Sequence, residues 1–299
     1  MDRLLQEKIT KLWPRQIFWN LPMAELSTLR VGGPAEAVVY PESEVELAGI
    51  TSALNKIAVP WRVIGRGSNI LASDAGVAGV IIVLDRNFGS IRRLAQRRVM
   101  AEAGCSLTKL TSWCAKHGLS GLEFAVGIPG SVGGAVKMNA GAWGRMIADV
   151  IDSARLINRQ GECYECPLTK KNFSYRSWRQ PPGEIITAAV FRLEEKLPEE
   201  ILAEGRELLR QRQESQPKAV ASAGSFFKNP PGEAAGRLIE QAGLKGLTCG
   251  GAMVSEVHAN FMVNTGHAKA QDFFDLMRLV QDRVRGKFAV VLEPEVECI

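Results

Sequence analysis

The sequence predicts an α+β protein with more than one hydrophobic core, on three observations. A chain of 299 residues, 46% hydrophobic and 23% charged, is long enough for two or three cores at about 100–200 residues per domain. Short β-rich runs alternate with segments whose apolar residues recur three and four positions apart, the mark of a helix with one buried face. A polar stretch, "ESQPKAVAS" at 214–222, sets off a C-terminal part that mixes helices and strands.

From about 31 to 85, "EAVVYP", "WRVIG" and "GVIIVL" read as strands around one helix, "SEVELAGITSALNKI", with Val45, Leu47, Ile50, Leu54 and Ile57 at helical spacing. A strand "RVMAEAG" follows, then a helix capped by Ser106 with Leu107, Leu110, Trp113 and Cys114 on one stripe. Further strands are "SARLINRQGE", with "RQG" as a hairpin turn, and "EIITAAVFRL". The helix "PEEILAEGRELLRQRQ" opens on a proline and two acids, as helix starts do. Beyond the polar stretch come a helix "AAGRLIEQAGL", a strand "ANFMVN", a long amphipathic helix "AQDFFDLMRLVQDRVR" and a final strand "FAVVLEPEVE". The resulting division is 1–30, a helical segment; 31–196; 197–222, a connecting helix and linker; and 223–299.

Several function classes are excluded by composition. The start "MDRLLQEKITKLW" carries Asp2 and Glu7 where an export signal needs an unbroken apolar stretch. The longest apolar run, "VAGVIIVL" at 77–84, is far short of the ~20 residues of a membrane helix. A cytoplasmic, monomeric protein is expected. The six cysteines are scattered without secretory context, and the pair Cys163 and Cys166 has no second pair at zinc spacing, so free thiols are expected. The histidines at 117, 258 and 267 are far apart, and His117 before Gly118 suits a helix end, so no metal is assigned. A net charge of +5 without a dense basic tract argues against nucleic acid and suits a small anionic ligand such as a nucleotide.

Four segments carry chemistry. "GRGSN" at 65–69 follows a strand as a turn with a free backbone. "GIPGSVGGAVKMNAGA" at 127–142 holds Gly127, Gly130, Gly133, Gly134 and Gly141 with no aspartate, glutamate or arginine. A string of turns explains one or two such glycines. Two bare loops together suggest a ligand with a pyrophosphate, held by main-chain N–H groups. "AGSFFKNP" at 223–230 sets a serine, a lysine and an asparagine around two phenylalanines, either a site or a packed turn. "LEPEVE" at 292–297 alternates Glu293, Glu295 and Glu297 with Leu292, Pro294 and Val296, which as a strand puts the three carboxylates on one face. That face is either solvated or met by a cation.

In order, "STLRVGGPAEAVVYPES", "IGRGSNIL", "GLEFAVGIPGSVGGAVKMNAGAWG", "YR", "AGSFFKNP" and "LEPEV" cover nearly the whole chain. This series resembles the bacterial UDP-N-acetylenolpyruvoylglucosamine reductase family. The resemblance implies an FAD-binding module of the vanillyl-alcohol-oxidase type in two subdomains at 31–196, and a C-terminal α/β substrate-binding domain at 223–299. It implies bound FAD, NADPH as co-substrate and a UDP-sugar enolpyruvyl ether as the acceptor, in peptidoglycan precursor synthesis.

By the same resemblance, the FAD pyrophosphate falls to Gly65, Arg66, Gly67, Ser68 and Asn69 and to Gly127, Ile128, Pro129, Gly130, Ser131, Gly133 and Gly134. Asn139, Ala140 and Gly141 lie close by in sequence. Arg176, Ser225 and Glu295 take the catalytic roles, and Tyr175, Lys228 and Asn229 the substrate contacts. The tight "YRSWRQPP" departs from the family's usual spacing, and the short run to Glu184 leaves no room for a tyrosine lid insertion, so the chain is similar to the shorter subtype. Two other functions stay open on the residues alone: an FAD-dependent oxidase of the same fold, and a nucleotide sensor without chemistry.

Overall fold

The computed structural model describes residues 3–13, 15–95 and 97–299; Asp2, one of the charges set against an export signal, lies outside them. The chain forms two units, one of residues through Trp19, Ala37–Arg66 and Ala78–Gln211, the other of Asn20–Glu36, Gly67–Val77 and Arg212–Ile299. The units are therefore not colinear with the four consecutive segments drawn from the sequence, because 20–36 and 67–77 belong with the C-terminal part.

The first unit is organised by a five-stranded antiparallel sheet in the order Cys163–Pro167, Ile151–Ile157, Ile185–Arg192, Arg98–Glu102, Ile91–Arg93. Ile185–Arg192 is central and buried on both faces to its last residue, which explains its unbroken apolar run. In a second sheet Trp61–Ile64 runs parallel to Val77–Val83, with Trp61 opposite Val80. The helix Glu44–Lys56 is capped by Ser43, whose Oγ accepts from Glu46 N at 3.2 Å, and it buries Leu47, Ile50 and Leu54. Val45, expected on that stripe, is 82% exposed. The helix Leu107–Lys116 is capped by Ser106 as expected and ends at His117, whose Nδ1 meets the Trp113 carbonyl at 2.7 Å.

The second unit has an antiparallel sheet ordered Ala221–Ser225, Phe261–Asn264, Ala252–Val254, Thr248–Cys249 and, after the linker, the helices Ala235–Gln241 and Ala270–Phe288. Leu29, Val31 and Leu71 join Phe226, Phe273 and Val284 in its core, which is why the two early segments belong here. Asp74 accepts from Ala270 N and Gln271 N at 2.9 and 2.8 Å, supplying from outside the cap that the long helix lacks at Lys269.

The expected final strand over "FAVVLEPEVE" does not form. Phe288 closes the helix, Ala289 at φ 56 stops it in the left-handed conformation, and the only strand beyond is Glu297–Cys298, parallel to Ile70–Leu71. Leu292 and Val296 are buried but Pro294 between them is exposed, so period-two alternation fails and the three glutamates do not share a strand face. Proline has no N–H to extend a ladder, and the segment pairs instead through single bonds on either side of it.

Candidate active site

In the first unit, Gly127 and Gly130 adopt φ of 76° and 131°, and Ser131 then caps the short helix Val132–Lys137, its Oγ accepting from Gly134 N at 3.4 Å. Val132 and Val136 are fully buried and pin that helix to the core. The glycines divide by role. Gly133 N donates to Ala103 O at 2.9 Å, and a Cβ there would lie 2.9 Å from the Ala103 Cβ, so Gly133 serves packing. With the Gly133 and Gly134 N–H groups spent inside the protein, the groups left to a ligand are fewer than the sequence suggests. The N–H groups of Gly65, Gly127 and Gly130 meet no protein acceptor among the described residues.

The two bare loops meet. A Cβ on Gly65 would lie 2.1 Å from Ser131 Oγ, so the "GRGSN" turn and the 127–131 tract touch at a point where any side chain would have to displace Ser131. Arg66 beside it lies 3.6 Å from Asp85, a half-exposed pair of little energetic weight. Ile128 N and Leu107 N tie the tract down, donating to Ala125 O and Gly130 O at 3.1 Å each.

Asn139, φ 42 and 2% exposed, has no surface left for a ligand: its Oδ1 accepts from Ala148 N and its Nδ2 donates to Ser174 O, both at 3.0 Å. Ser174 ends the first strand of the hairpin Phe173–Ser174 with Ser177–Trp178, whose two-residue turn is Tyr175 and Arg176. The tight "YRSW" is thus a turn with Arg176 at φ 55, anchored by Phe173 stacked on buried Trp178 at 6.0 Å. The Arg176 guanidinium returns over the half-exposed Tyr175 ring at 5.2 Å, and its Nη1 donates to Gly141 O at 3.2 Å. Asn139, Gly141, Tyr175 and Arg176 therefore form one cluster, with Ala140 held by its bond to Ala135 O at 2.8 Å.

In the second unit, Gly224 at φ 79 sits inside the irregularity between Ser222 and Ser225, the kind of bulge that turns a side chain out of a ladder. Phe226 and Phe227 then bury completely, Phe226 stacked on Phe273 at 5.7 Å, so the aromatics anchor and the half-buried Ser225 is presented. The segment pairs with the chain end: Glu295 N donates to Phe226 O and Lys228 N to Glu293 O, both at 2.8 Å, around a bridge between Phe227 and Pro294. Glu295 is thereby paired by its backbone to Phe226, the residue after Ser225. Lys228 Nζ lies 3.5 Å from Glu293, and Asn229 Oδ1 accepts from Ala235 N at 3.0 Å at the start of its helix. Gly67 follows the Leu26 carbonyl so closely that a Cβ would lie 1.8 Å from it, and Asn69 donates to Glu295 O at 3.0 Å, with Ser68 between them. Asn260, passed over as the start of a strand, binds both polar groups of the Phe227 peptide. Its only sequence signal is a polar residue inside an apolar run, "HANFMVN".

Residues 216–299 match the family model described as UDP-N-acetylenolpyruvoylglucosamine reductase, C-terminal domain, and residues 35–167 match the one described as FAD binding domain. The enzyme of that name from Carboxydothermus hydrogenoformans is 44% identical over 301 residues, covering 100% of this chain and 99% of the relative. That from Pelobacter propionicus is 41% identical over 278 residues, 93% of this chain and 94% of the relative. This chain belongs to the UDP-N-acetylenolpyruvoylglucosamine reductase family. The crystal structure of the reductase from Thermus caldophilus is similar, with a TM-score of 0.80 and 40% identity over 95% of this chain and 98% of that one. Berberine bridge enzyme from Eschscholzia californica, TM-score 0.50 and 17% identical over 64% of this chain and 43% of its own, shares the fold alone.

With its FAD binding domain, this member of the reductase family is a flavoprotein oxidoreductase of the fold that the sequence predicts. The residues fit the cofactor: two loops that meet at Gly65 and Ser131, with N–H groups at Gly65, Gly127 and Gly130 that meet no protein acceptor among the described residues, suit a diphosphate held by the main chain. No helix of the described residues is long and apolar enough to cross a membrane.

Proposed function

We propose that this chain reduces UDP-N-acetylglucosamine enolpyruvate to UDP-N-acetylmuramate with NADPH, in the cytoplasm, as a step of peptidoglycan precursor synthesis. The observation that supports the reading within the family is the backbone pairing of Phe226–Lys228 with Glu293–Glu295, which holds the segment that follows Ser225 alongside the segment that carries Glu295.

Gly65, Gly127 and Gly130 would hold the FAD diphosphate through main-chain N–H groups, with Arg66, Gly67, Ser68, Ile128, Pro129 and Ser131 shaping the loops. When bound, FAD would supply the two-electron chemistry that carries a hydride from NADPH to the terminal vinyl carbon of the enolpyruvyl ether. Hydride addition drives electrons toward the substrate carboxylate, so the fixed cation of Arg176 stabilises the enolate-like charge that develops there. Ser225 Oγ–H then gives its proton to the neighbouring carbon. A serine hydroxyl is a weak acid and does this only at fixed geometry, which the Gly224 bulge and the Phe226 anchor provide. Glu295, paired by its backbone to Phe226, would complete this site. Lys228, Asn229 and Tyr175 bind the nucleotide sugar.

The test is NADPH oxidation under air and under nitrogen, with and without the enolpyruvyl substrate. Oxidation that requires the substrate and ignores oxygen supports the reductase. Rapid oxygen consumption without substrate favours the oxidase of the same fold and sinks the reading.

A further inference from the structure

We infer that Asn260 is a positioning residue for the substrate half-reaction: its side-chain amide pairs with both polar groups of the Phe227 peptide and so fixes the register between Ser225–Lys228 and Glu293–Glu295. The inference rests on the roles proposed above for Ser225 and Glu295.

Asn260 is 4% exposed. Its Oδ1 accepts from Phe227 N at 3.0 Å and its Nδ2 donates to Phe227 O at 2.8 Å, the reciprocal pair that a neighbouring strand residue makes. The regular ladder of Ala221–Ser225 with Phe261–Asn264 has broken at the bulge just before this point. Asn260 O still accepts from Phe226 N at 2.8 Å, so one residue grips three consecutive peptide groups. The opposite edge of the same segment carries Phe226 O and Lys228 N, the two atoms that receive Glu295 N and pair to Glu293 O. Any rotation of the Phe227 peptide therefore moves both catalytic candidates. Asn260 is itself fixed, its N–H donating to His258 Nδ1 at 3.2 Å while the His258 ring packs on Phe261 at 4.9 Å.

An aliphatic side chain at 260 would leave a buried N–H and a buried carbonyl on Phe227, which is 1% exposed, without the partners that Asn260 supplies. Asn260→Asp is more informative. As a carboxylate it accepts from Phe227 N but cannot donate to Phe227 O; as a carboxylic acid it does both and reproduces the amide. Function in this variant must therefore return on protonation. The charged or titratable groups on the elements around it are His258 on its own turn, Arg237 and Glu240 on the helix Ala235–Gln241, Lys245 just beyond that helix, Lys228 on the clamped segment, and Glu293 and Glu295 across from it. Burial holds the His258 pKa below its ordinary value, and the wild type measured over the same pH range supplies that baseline.

The experiment follows flavin reoxidation by the enolpyruvyl substrate in reduced wild type, Asn260→Asp and Asn260→Ala from pH 8 to pH 6. At pH 8 Asn260→Asp is expected to be slower than wild type by about 10²-fold, the effect of a small misplacement of reacting groups, and to recover at least about tenfold toward pH 6 while Asn260→Ala does not. Independently of turnover, hydrogen exchange in the full-length Asn260→Ala chain should accelerate at the amides of 225–228 and 293–297 and stay unchanged across Ala270–Phe288. Wild-type reoxidation by Asn260→Asp at pH 8, a loss in that variant that does not respond to pH, or unchanged exchange at both segments overturns the inference. If Ser225→Ala reoxidises normally, the site reading fails instead, and the exchange result still decides whether Asn260 clamps the segment.

Discussion

The Asn69 side chain donates to the main-chain carbonyl of Glu295 at 3.0 Å, and the Asn69 carbonyl accepts from Glu297 N at 2.9 Å. The last residue of "GRGSN" thus spends its amide on the backbone of the proposed catalytic glutamate. Asn69→Ala is therefore expected to retain FAD yet to slow reoxidation by the enolpyruvyl substrate by up to about tenfold, the worth of one net hydrogen bond. Flavin content and stopped-flow absorbance check this; loss of flavin with normal reoxidation of what remains would show that Asn69 serves the cofactor.

Gly65 and Gly134 should separate cleanly. A methyl at Gly65 would press within 2.1 Å of Ser131 Oγ and displace the residue that caps Val132–Lys137, whereas one at Gly134 comes no closer than 3.5 Å. Gly65→Ala should cost about 1–3 kcal/mol and most of the bound FAD. Gly134→Ala, in a helix that prefers alanine, should keep the flavin and gain a few tenths to about 1 kcal/mol. Gly130→Val, at φ 131, should abolish flavin binding because a branched Cβ resists that backbone conformation. The ratio of visible flavin to protein absorbance after purification, with a melting curve, tests all three, and equal flavin loss in the Gly65 and Gly134 variants contradicts the assignment.

What could be read in advance follows from the kind of signal. Ser43, Ser106 and the Ile185–Arg192 strand were legible because caps and apolar runs are local. The C-terminal strand was not, since "FAVVLEPEVE" has strand propensity but its burial is set by Leu292 and Val296 alone, and the left-handed Ala289 is invisible in composition. Gly133 and Asn139 look like ligand contacts in sequence because glycine and asparagine serve packing and binding alike; only the partners, Ala103 O for one and Ser174 O for the other, tell them apart. The clamp of Asn260 on Phe227 joins residues 33 positions apart, beyond any local pattern.

Alkaline stability should be governed in part by Cys114. Burial, with lesser help from Glu123 and Cys105, pushes its thiol up to about 12, while an unfolded cysteine titrates near 9. Because the folded pKa is raised, the native thiol holds its proton where the unfolded one has lost it. That contribution is complete below about pH 9 and is lost as pH rises toward 12, on the order of a few kcal/mol in all. Cys114→Ala should therefore flatten the fall in melting temperature between those pH values while lowering stability at neutral pH through the cavity it leaves. Identical alkaline slopes for the two proteins would contradict the shift.

Ser225 gives the most direct test of mechanism. In Ser225→Ala, NADPH should bleach the flavin at a near-normal rate, because that half-reaction takes no proton from the protein. Reoxidation by the enolpyruvyl substrate should slow by on the order of 10²–10⁴-fold, the usual contribution of a positioned general acid. Since Phe226 and Phe227 are the buried anchors and Ser225 is only half-buried, the substitution should leave the fold and the pairing to Glu293–Glu295 in place. Ser225→Cys should keep part of the activity, as a thiol also donates. Stopped-flow absorbance resolves the two half-reactions, and Ser225→Ala that reoxidises at the wild-type rate, or that loses both halves equally with flavin bound, removes the serine from the role of proton donor.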